Sequence, residues 1–291
     1  HTAYRRQRQM CIRDSPHTVS TKIDYLGTLW LTMALLSLMY GFQVLGETNF
    51  TWQTVETCFA VTVVAIFLFI RREQKADDPI ISLKLFKNRT FITQNLATML
   101  VSGFLIGFEV YIPTWTQGLL GLPASLAGFA VTPSSVMWIF GSFLAGKFIL
   151  KLPPKQTLMI SLAILFVGSL WLALLSQTTP FWLFFVISTI LGVGFGITIT
   201  STTVTSQRLV EAKDMGVATS FNTLARTLGQ TIMMSIFGII MNGTMNKGIA
   251  QHSNLNLGMM NKLINPQTAS SLPAKLLPTL RTILYLSLIH I

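Results

Sequence analysis

The chain of 291 residues is apolar and carries few charges: 51% of its residues are hydrophobic, 11% are charged, and its mean hydropathy is +0.58. This composition excludes an ordinary water-soluble domain and predicts an integral membrane protein in contact with the lipid bilayer. The net charge of +11 does not indicate a nucleic-acid partner, because the cations lie in links between apolar runs and not on one soluble face with interleaved aromatic residues.

Seven apolar runs are each long enough to cross the ~30 Å hydrocarbon core of a bilayer as a helix. In chain order they are Leu26–Leu45, Trp52–Ile70, Phe91–Thr116, Ala124–Lys147, Gln156–Ser176, Pro180–Ser206 and Gly216–Asn242. The predicted fold is therefore all-α, a multi-pass bundle of transmembrane helices with seven spans. After Asn242 the sequence is mixed, with Gly, Asn, Pro and short amphipathic stretches.

The distribution of Lys and Arg predicts the orientation of these spans. The links at 71–90, 147–155 and 206–215 hold eleven Lys and Arg residues, whereas the links at 46–51, 117–123 and 177–179 hold none. Because short cytoplasmic loops are rich in cations, we expect the first set of links to be cytoplasmic. We also expect the protein to lie in the plasma membrane of a bacterium. Residues 243–285 are then extracellular.

Both ends of the chain look foreign to a natural protein. Residues 10–15 and 286–291 resemble translated read-through of the transposon end that is used in sequencing libraries, and no plausible start Met or signal peptide precedes the spans. Such segments are excluded from reasoning about the fold. We expect residues 1–15 and 286–291 to be sequencing artefacts and the remainder to be a fragment of a longer protein.

Arg226 is a charged residue inside a predicted span. It lies ten residues after Gly216, roughly 15 Å along the helix and close to the bilayer midplane. An Arg at that depth costs at least ~2.5 kcal/mol, so another group must compensate it. Asn222 and Gln230 lie four residues to either side on the same face of the helix. Arg226 either pairs with a neighbouring helix and fixes packing, or faces a water-filled cavity and serves transport.

Glu109 is the second such residue. It lies 18 residues after Phe91, roughly 27 Å along the helix and in the outer leaflet, with Asn95, Thr98 and Ser102 on the same side. Two interpretations are open. The carboxylate reaches the outer interface, or it is a protonatable group at the outer end of a cavity, as proton-coupled transport requires.

Small residues mark the faces on which helices are predicted to meet. Gly residues let two helix backbones approach closely, and we assign this packing role to Gly103, Gly107, Gly192, Gly196, Gly216 and Gly229. The cytoplasmic half of the sixth span, from Thr198 to Ser206, is rich in Thr and Ser. These hydroxyl groups either bond to their own helix or line a polar cavity.

No enzyme or metal site is indicated. The chain has two Cys residues without metal-ligand spacing, and it lacks the H-E-x-x-H and G-x-S-x-G motifs of hydrolases. We therefore expect no catalytic residues and no bound metal. A seven-helix receptor is a remaining alternative, although the last span has no Lys for a retinal Schiff base.

Several segments carry a resemblance to a known family. They are Asp24-Tyr-Leu-Gly27, the link Pro79–Thr90, Tyr111–Gln117 (YIPTWTQ), Ala127-Gly128 with Pro133, Gly141–Lys147 (GSFLAGK), and Gly216–Gly229 (GVATSFNTLARTLG). From Asp24 to Arg281 the chain resembles the 14-span drug:proton antiporter branch of the major facilitator superfamily. The last segment is the most specific, through the spacing of Gly216, Asn222, Arg226 and Gly229.

The resemblance implies that the chain is part of a major facilitator fold and covers roughly spans 7 to 13. Residues 16–71 would be two extra central helices, 72–90 a cytoplasmic link, 91–242 five helices of the C-terminal half, and 243–285 an extracellular loop before a missing last helix. An N-terminal half of the same protein would be the partner of this fragment. The usual Gly-x-x-x-Asp-Arg-x-Gly-Arg link after the fourth span is altered here, with Leu150 at the acidic position and Pro153 at the second Gly.

The implied function is proton-coupled export of drugs or other hydrophobic or cationic small molecules, with the proton gradient as energy source and no cofactor. Glu109 and Arg226 are the candidates for transport and proton coupling. The third and sixth spans would line the central cavity, and the candidate lining residues there and on the seventh span are Asn95, Thr98, Ser102, Thr198, Asn222 and Gln230. Export of a lipid or metabolite is the alternative within transport.

Overall fold

The computed structural model describes residues 24–47, 51–75, 83–252 and 254–289, so the predicted artefact at 1–15 lies outside the described residues. Seven helical segments are long and apolar enough to cross a membrane, as predicted. The helices are α1 (Tyr25–Leu45), α2 (Trp52–Glu73), α3 (Arg89–Gly118), α4 (Ala124–Phe129), α5 (Thr132–Lys151), α6 (Pro154–Ala173), α7 (Phe181–Arg208), α8 (Met215–Ala250), α9 (Leu257–Ile264), α10 (Pro266–Ala269) and α11 (Leu277–Ile289).

The fourth predicted span is a broken helix, formed by α4 and α5 together. Pro133 is the second residue of α5, and a Pro has no N–H with which to continue the hydrogen bonds of a preceding helix. The hydroxyl of Ser188 on α7 donates to the carbonyl oxygen of Ala130, which lies in the break. The neighbouring helix therefore satisfies a backbone group that the break exposes.

Helices α1 and α2 pack against each other, and an ion pair joins them at one end. The Asp24 carboxylate caps α1 by accepting from the N–H of Gly27, and it forms an ion pair of 3.0 Å with Arg72 at the end of α2. The hydrogen bond from Gly27 and the Arg72 guanidinium lower the pKa of the Asp24 carboxyl. At its other end α1 packs on α8, where the hydroxyl of Ser235 donates to the carbonyl oxygen of Phe42.

Helix α7 is the most buried span and packs against α3, α5 and α6. Its contact with α5 is made by backbone, because a Cβ at Gly192 would overlap the carbonyl oxygen of Ser134, and one at Gly196 would overlap that of Trp138. Close backbone approach of this kind is how membrane helices gain van der Waals contact without a hydrophobic driving force. It makes α5 and α7 one compact unit.

The sequence predicts an extracellular loop after the seventh span, and the structure shows that this segment contains helices. Helix α8 continues to Ala250, eight residues beyond the predicted end at Asn242, and α9, α10 and α11 follow. Met260, Leu263 and Leu284 are buried there because these short helices are amphipathic and fold their apolar faces back onto α3 and α8. Helix α11 includes residues 286–289, whose foreign origin stays a prediction.

Glycine spacing on α3 and α8 sets a second close contact. A Cβ at Gly229 would overlap the carbonyl oxygen of Met99, and one at Gly103 would overlap the side chain of Met233. A Cβ at Gly107 would likewise overlap the ring of Phe237. Gly216 differs, since a Cβ there would meet no atom within 4 Å. The packing role predicted for Gly216 therefore has no contact to support it in this structure.

We predict that Gly229→Ala destabilises the protein whereas Gly216→Ala does not. The first change forces α3 and α8 apart at a backbone contact, which costs about 1–3 kcal/mol as an overpacked site, and the second adds a methyl group to open space. The measurement is the midpoint of thermal unfolding in detergent for both variants of the full-length protein. Equal midpoints for the two variants would contradict the packing argument.

Candidate functional site: a buried polar junction and two intramembrane charges

The side chain of Asn222 joins three helices. From α8, its amide nitrogen donates to the side-chain oxygens of Asn95 and Thr98 on α3, each at 3.1 Å. Its amide oxygen accepts from the hydroxyl of Thr203 on α7 at 2.7 Å. The hydroxyls of Thr98 and Thr202 are also 2.7 Å apart. Asn222 thus uses both its donor and its acceptor capacity between helices.

This polar junction, formed by Asn95, Thr98, Thr202, Thr203, Ser206 and Asn222, is almost entirely buried. The amide nitrogen of Asn95 completes it by donating to Ser206 at 3.4 Å. Asn222 lies seven residues into α8 and Asn95 six residues into α3, so both are roughly 10 Å from the cytoplasmic helix ends. Buried hydrogen-bonded networks in a dry environment specify one arrangement of the helices, because every broken bond leaves an unpaired group.

The predicted cavity-lining residues differ in their hydrogen-bond partners. Asn95, Thr98 and Asn222 bind one another, and the hydroxyl of Thr198 bonds to the carbonyl oxygen of Gly194 in its own helix at 2.8 Å. Ser102 is buried with no hydrogen-bond partner for its hydroxyl. Their role in lining a transport cavity stays a prediction.

Gln230 lies apart from the polar junction. It borders a groove between α1, α3 and α8, and the groove holds about 510 Å³. Gln43 of α1, Glu47 just after α1 and Thr231 of α8 add further polar groups to its wall. Asn222, Arg226 and Gln230 follow one another along α8 as predicted, but their side chains lie in three different environments.

Arg226 lies over the ring of Trp138. Its guanidinium carbon is 5.4 Å from the ring centroid, within the range of a cation–π interaction. The contact crosses from α8 to α5, and both helices pack on α7. Arg226 is partly buried. The sequence required a partner for Arg226 on a neighbouring helix but did not identify it. The indole ring of Trp138 is such a partner.

Glu109 is exposed on the surface of α3 and interacts electrostatically with Arg226. Their oxygen and nitrogen atoms are not within ion-pair distance among the described residues, so the interaction acts across a gap. Pro113 lies four residues further along α3 and has no N–H to give to the carbonyl oxygen of Glu109. Glu109 thus combines a carboxylate with a backbone oxygen that lacks its usual helical donor.

A separate apolar cavity of about 190 Å³ lies in the outer half of the bundle. Five aromatic side chains of α3 and α8 line it, together with residues of α6, and these are Phe104, Phe108, Tyr111, Trp115 and Phe237. The wall also includes Leu288 and Ile289, which fall in the segment expected to be foreign. We therefore place the candidate site at Glu109, Arg226, Trp138 and the polar junction, and not in this cavity.

Sequence reasoning did not single out Trp138, Thr202, Thr203 or Ser206 as members of the site. The Thr-rich run after Thr198 was a visible signal for Thr202, although the sequence did not show which hydroxyl groups would face α3. Trp138 gave no such signal, since an aromatic residue within an apolar span is ordinary. Only the packing of α5 and α8 on the same helix brings its ring to Arg226.

The comparison with known families decides the class of this protein. The family model described as Major Facilitator Superfamily matches residues 25–234, which is more than half of the chain. The chain belongs to the Major Facilitator Superfamily. The resemblance that the Gly216–Gly229 segment indicated is confirmed, and the family is one of membrane transporters.

Three similar proteins come from bacteria. The chain is 31% identical over 279 residues to Multidrug resistance protein 3 of Bacillus subtilis (strain 168), covering 88% of this chain and 52% of that protein. It is 28% identical over 221 residues to the Multidrug transporter protein MdtP of the same organism, covering 75% and 41%. It is 28% identical over 259 residues to the Quinolone resistance protein NorB of Staphylococcus aureus (strain MRSA252), covering 86% and 54%.

A solved structure shows the same fold. The bacterial homolog to the human lysosomal transporter Spinster, in an inward-facing and occupied conformation, aligns with a TM-score of 0.50 at 17% identity, covering 81% of this chain and 52% of that one. The chain spans about half the length of the curated relatives it matches. Together with the seven membrane-length helices, these findings confirm the predicted location, a multi-pass protein of the bacterial plasma membrane.

We predict that Asn222→Ala lowers the thermal stability of the full-length protein by far more than Thr223→Ala. Loss of the amide leaves buried groups on Asn95, Thr98 and Thr203 with fewer partners, at about 1–3 kcal/mol for each group left unsatisfied. The hydroxyl of Thr223, one residue further along α8, is exposed and bonds only to its own helix. The measurement is the unfolding midpoint in detergent, and a matched loss in both variants would contradict the role of the junction.

Proposed function

We propose that the full-length protein that contains this chain exports cationic or hydrophobic small molecules, and that proton entry drives the export. The observation that carries this proposal is Glu109, an exposed carboxylate inside a membrane-length helix that interacts with the fixed charge of Arg226. Intramembrane charged residues of this kind mark ion and substrate pathways. The names of the relatives, which are multidrug and quinolone resistance proteins, support the substrate class.

Proton binding at Glu109 gives a mechanism for coupling. A proton neutralises the carboxylate and removes its attraction for Arg226, because the guanidinium stays charged in every state. The arrangement of α3 and α8 that the charged pair favours then loses part of its advantage over another arrangement. The proton at Glu109 and the substrate then favour different arrangements of the helices, so the two are exchanged across the membrane without sharing one binding group.

In this mechanism the protein moves its substrate without changing it chemically. Glu109 would bind and release a proton, Arg226 would hold the helices through its charge, and the substrate would leave unchanged. We propose that the proton gradient supplies the free energy and that no bound cofactor takes part. The N-terminal half of the full-length protein would provide the opposite wall of the pathway.

Glu109→Gln is expected to abolish efflux of a cationic dye driven by a pH gradient while leaving expression and dye binding in place, because Gln keeps the shape of the side chain but binds no proton. The measurement is dye efflux from membrane vesicles with an imposed gradient, normalised to protein in the membrane. Glu56→Gln, at an exposed carboxylate near the start of α2, is the matched control and should retain efflux. Gradient-driven efflux that persists in Glu109→Gln would reduce Glu109 to an interfacial carboxylate.

Arg226→Ala and Arg226→Lys should both insert into the membrane and both fail to transport. Ala removes the charge that acts on Glu109, and Lys retains the charge but loses the planar guanidinium that lies over Trp138. Efflux from vesicles measures transport, and cysteine accessibility at both membrane faces reports the inward and outward states. Efflux at the wild-type rate in Arg226→Ala would limit this residue to packing.

A further inference from the structure

The indole ring of Trp138 forms a flat aromatic platform near the middle of the membrane. It lies thirteen residues before the cytoplasmic end of α5, roughly 20 Å along the helix. Its ring is tilted by 32° against Phe195 at a centroid distance of 6.5 Å, and Phe195 is fully buried. Its backbone carbonyl oxygen lies against Gly196. The ring is therefore supported by α7, while the residue itself is only partly buried.

The group over this platform belongs to the protein itself. Arg226 starts from the corresponding depth, eleven residues and roughly 16 Å into α8, and reaches across to the ring on α5. An indole face is the strongest cation binder among aromatic side chains, and it is also the group that recognises quaternary ammonium ligands. The Arg226 guanidinium thus occupies a surface whose chemistry suits a foreign organic cation.

Arg226 also has an alternative partner. The carboxylate of Glu109 on α3 interacts electrostatically with the same guanidinium. Because Arg does not lose its proton under physiological conditions, it leaves the ring only by moving and not by becoming neutral. The Arg side chain has several rotatable bonds, and the attraction of Glu109 would favour a position away from the ring.

We propose that Trp138 is a substrate-binding residue whose face Arg226 occupies in the empty transporter, and that an aromatic or quaternary organic cation binds by displacing the guanidinium. This inference rests on the proposed export function and adds to it a specific subsite for the positive charge of the substrate. Arg226 acts there as an internal competitor, so it lowers the affinity for cations although transport depends on it.

The test is equilibrium binding of tetraphenylphosphonium, a permanent cation, to the purified full-length protein without any gradient. Arg226→Met should bind the probe about tenfold more tightly than the wild type, since the competing cation is gone. Trp138→Leu should bind it about tenfold more weakly, as expected for loss of a desolvated cation–π contact. The double variant should bind like Trp138→Leu alone, because the gain from removing Arg226 requires the ring.

A neutral probe distinguishes the loss of a competing charge in Arg226→Met from the space that the substitution opens. Triphenylphosphine oxide has similar rings and no net charge, and its affinity should not rise in Arg226→Met. The inference is overturned if Arg226→Met binds tetraphenylphosphonium no better than the wild type, if the gain persists in the double variant, or if the neutral probe gains equally. These binding results are independent of coupling, so loss of the proposed proton-driven efflux with the predicted binding pattern intact would overturn only the proposed function.

Discussion

The arrangement of α3, α7 and α8 depends on one side-chain amide. Asn222 donates to α3 and accepts from α7, so a single residue fixes the relative positions of three membrane helices. In hydrocarbon no water replaces a lost partner, and a small displacement of any one helix breaks directional bonds rather than merely loosening contact. The close backbone approach of Gly229 to Met99 on the same pair of helices is compatible only with the spacing that these bonds set.

The spans were predictable because length and hydropathy are properties of contiguous residues. The predicted seventh span and α8 begin within one residue of each other, whereas their ends differ by eight residues. The short helices after α8 could not be placed, since an amphipathic stretch shows that one face is buried but not which surface covers it. Pro133 was visible in the sequence, but only the hydroxyl of Ser188 explains how the break beside it is tolerated.

The candidate site was predictable in its parts and not in its connections. Helical spacing placed Asn95 and Thr98 on one face of α3 and Asn222 on a face of α8, yet it did not show that these faces meet. The depth of Arg226 required a compensating group, and the structure places an aromatic ring in contact with it, while the carboxylate of Glu109 acts only from beyond ion-pair distance. Contacts between residues far apart in the chain depend on helix packing, which spacing within one helix does not encode.

The two ends of the bundle interior differ in the nature of their contacts. Near the cytoplasmic side the helices meet through hydroxyl and amide groups as well as through the rings of Phe91 and Phe221, whereas further out they meet through rings such as Phe104, Phe108 and Phe195 without such a polar network. Aromatic pairs favour particular tilts by only about 0.5–1.5 kcal/mol, whereas a broken buried hydrogen bond leaves an unpaired polar group. We therefore expect a small tilt of α3 to cost less at its outer end than at its inner end.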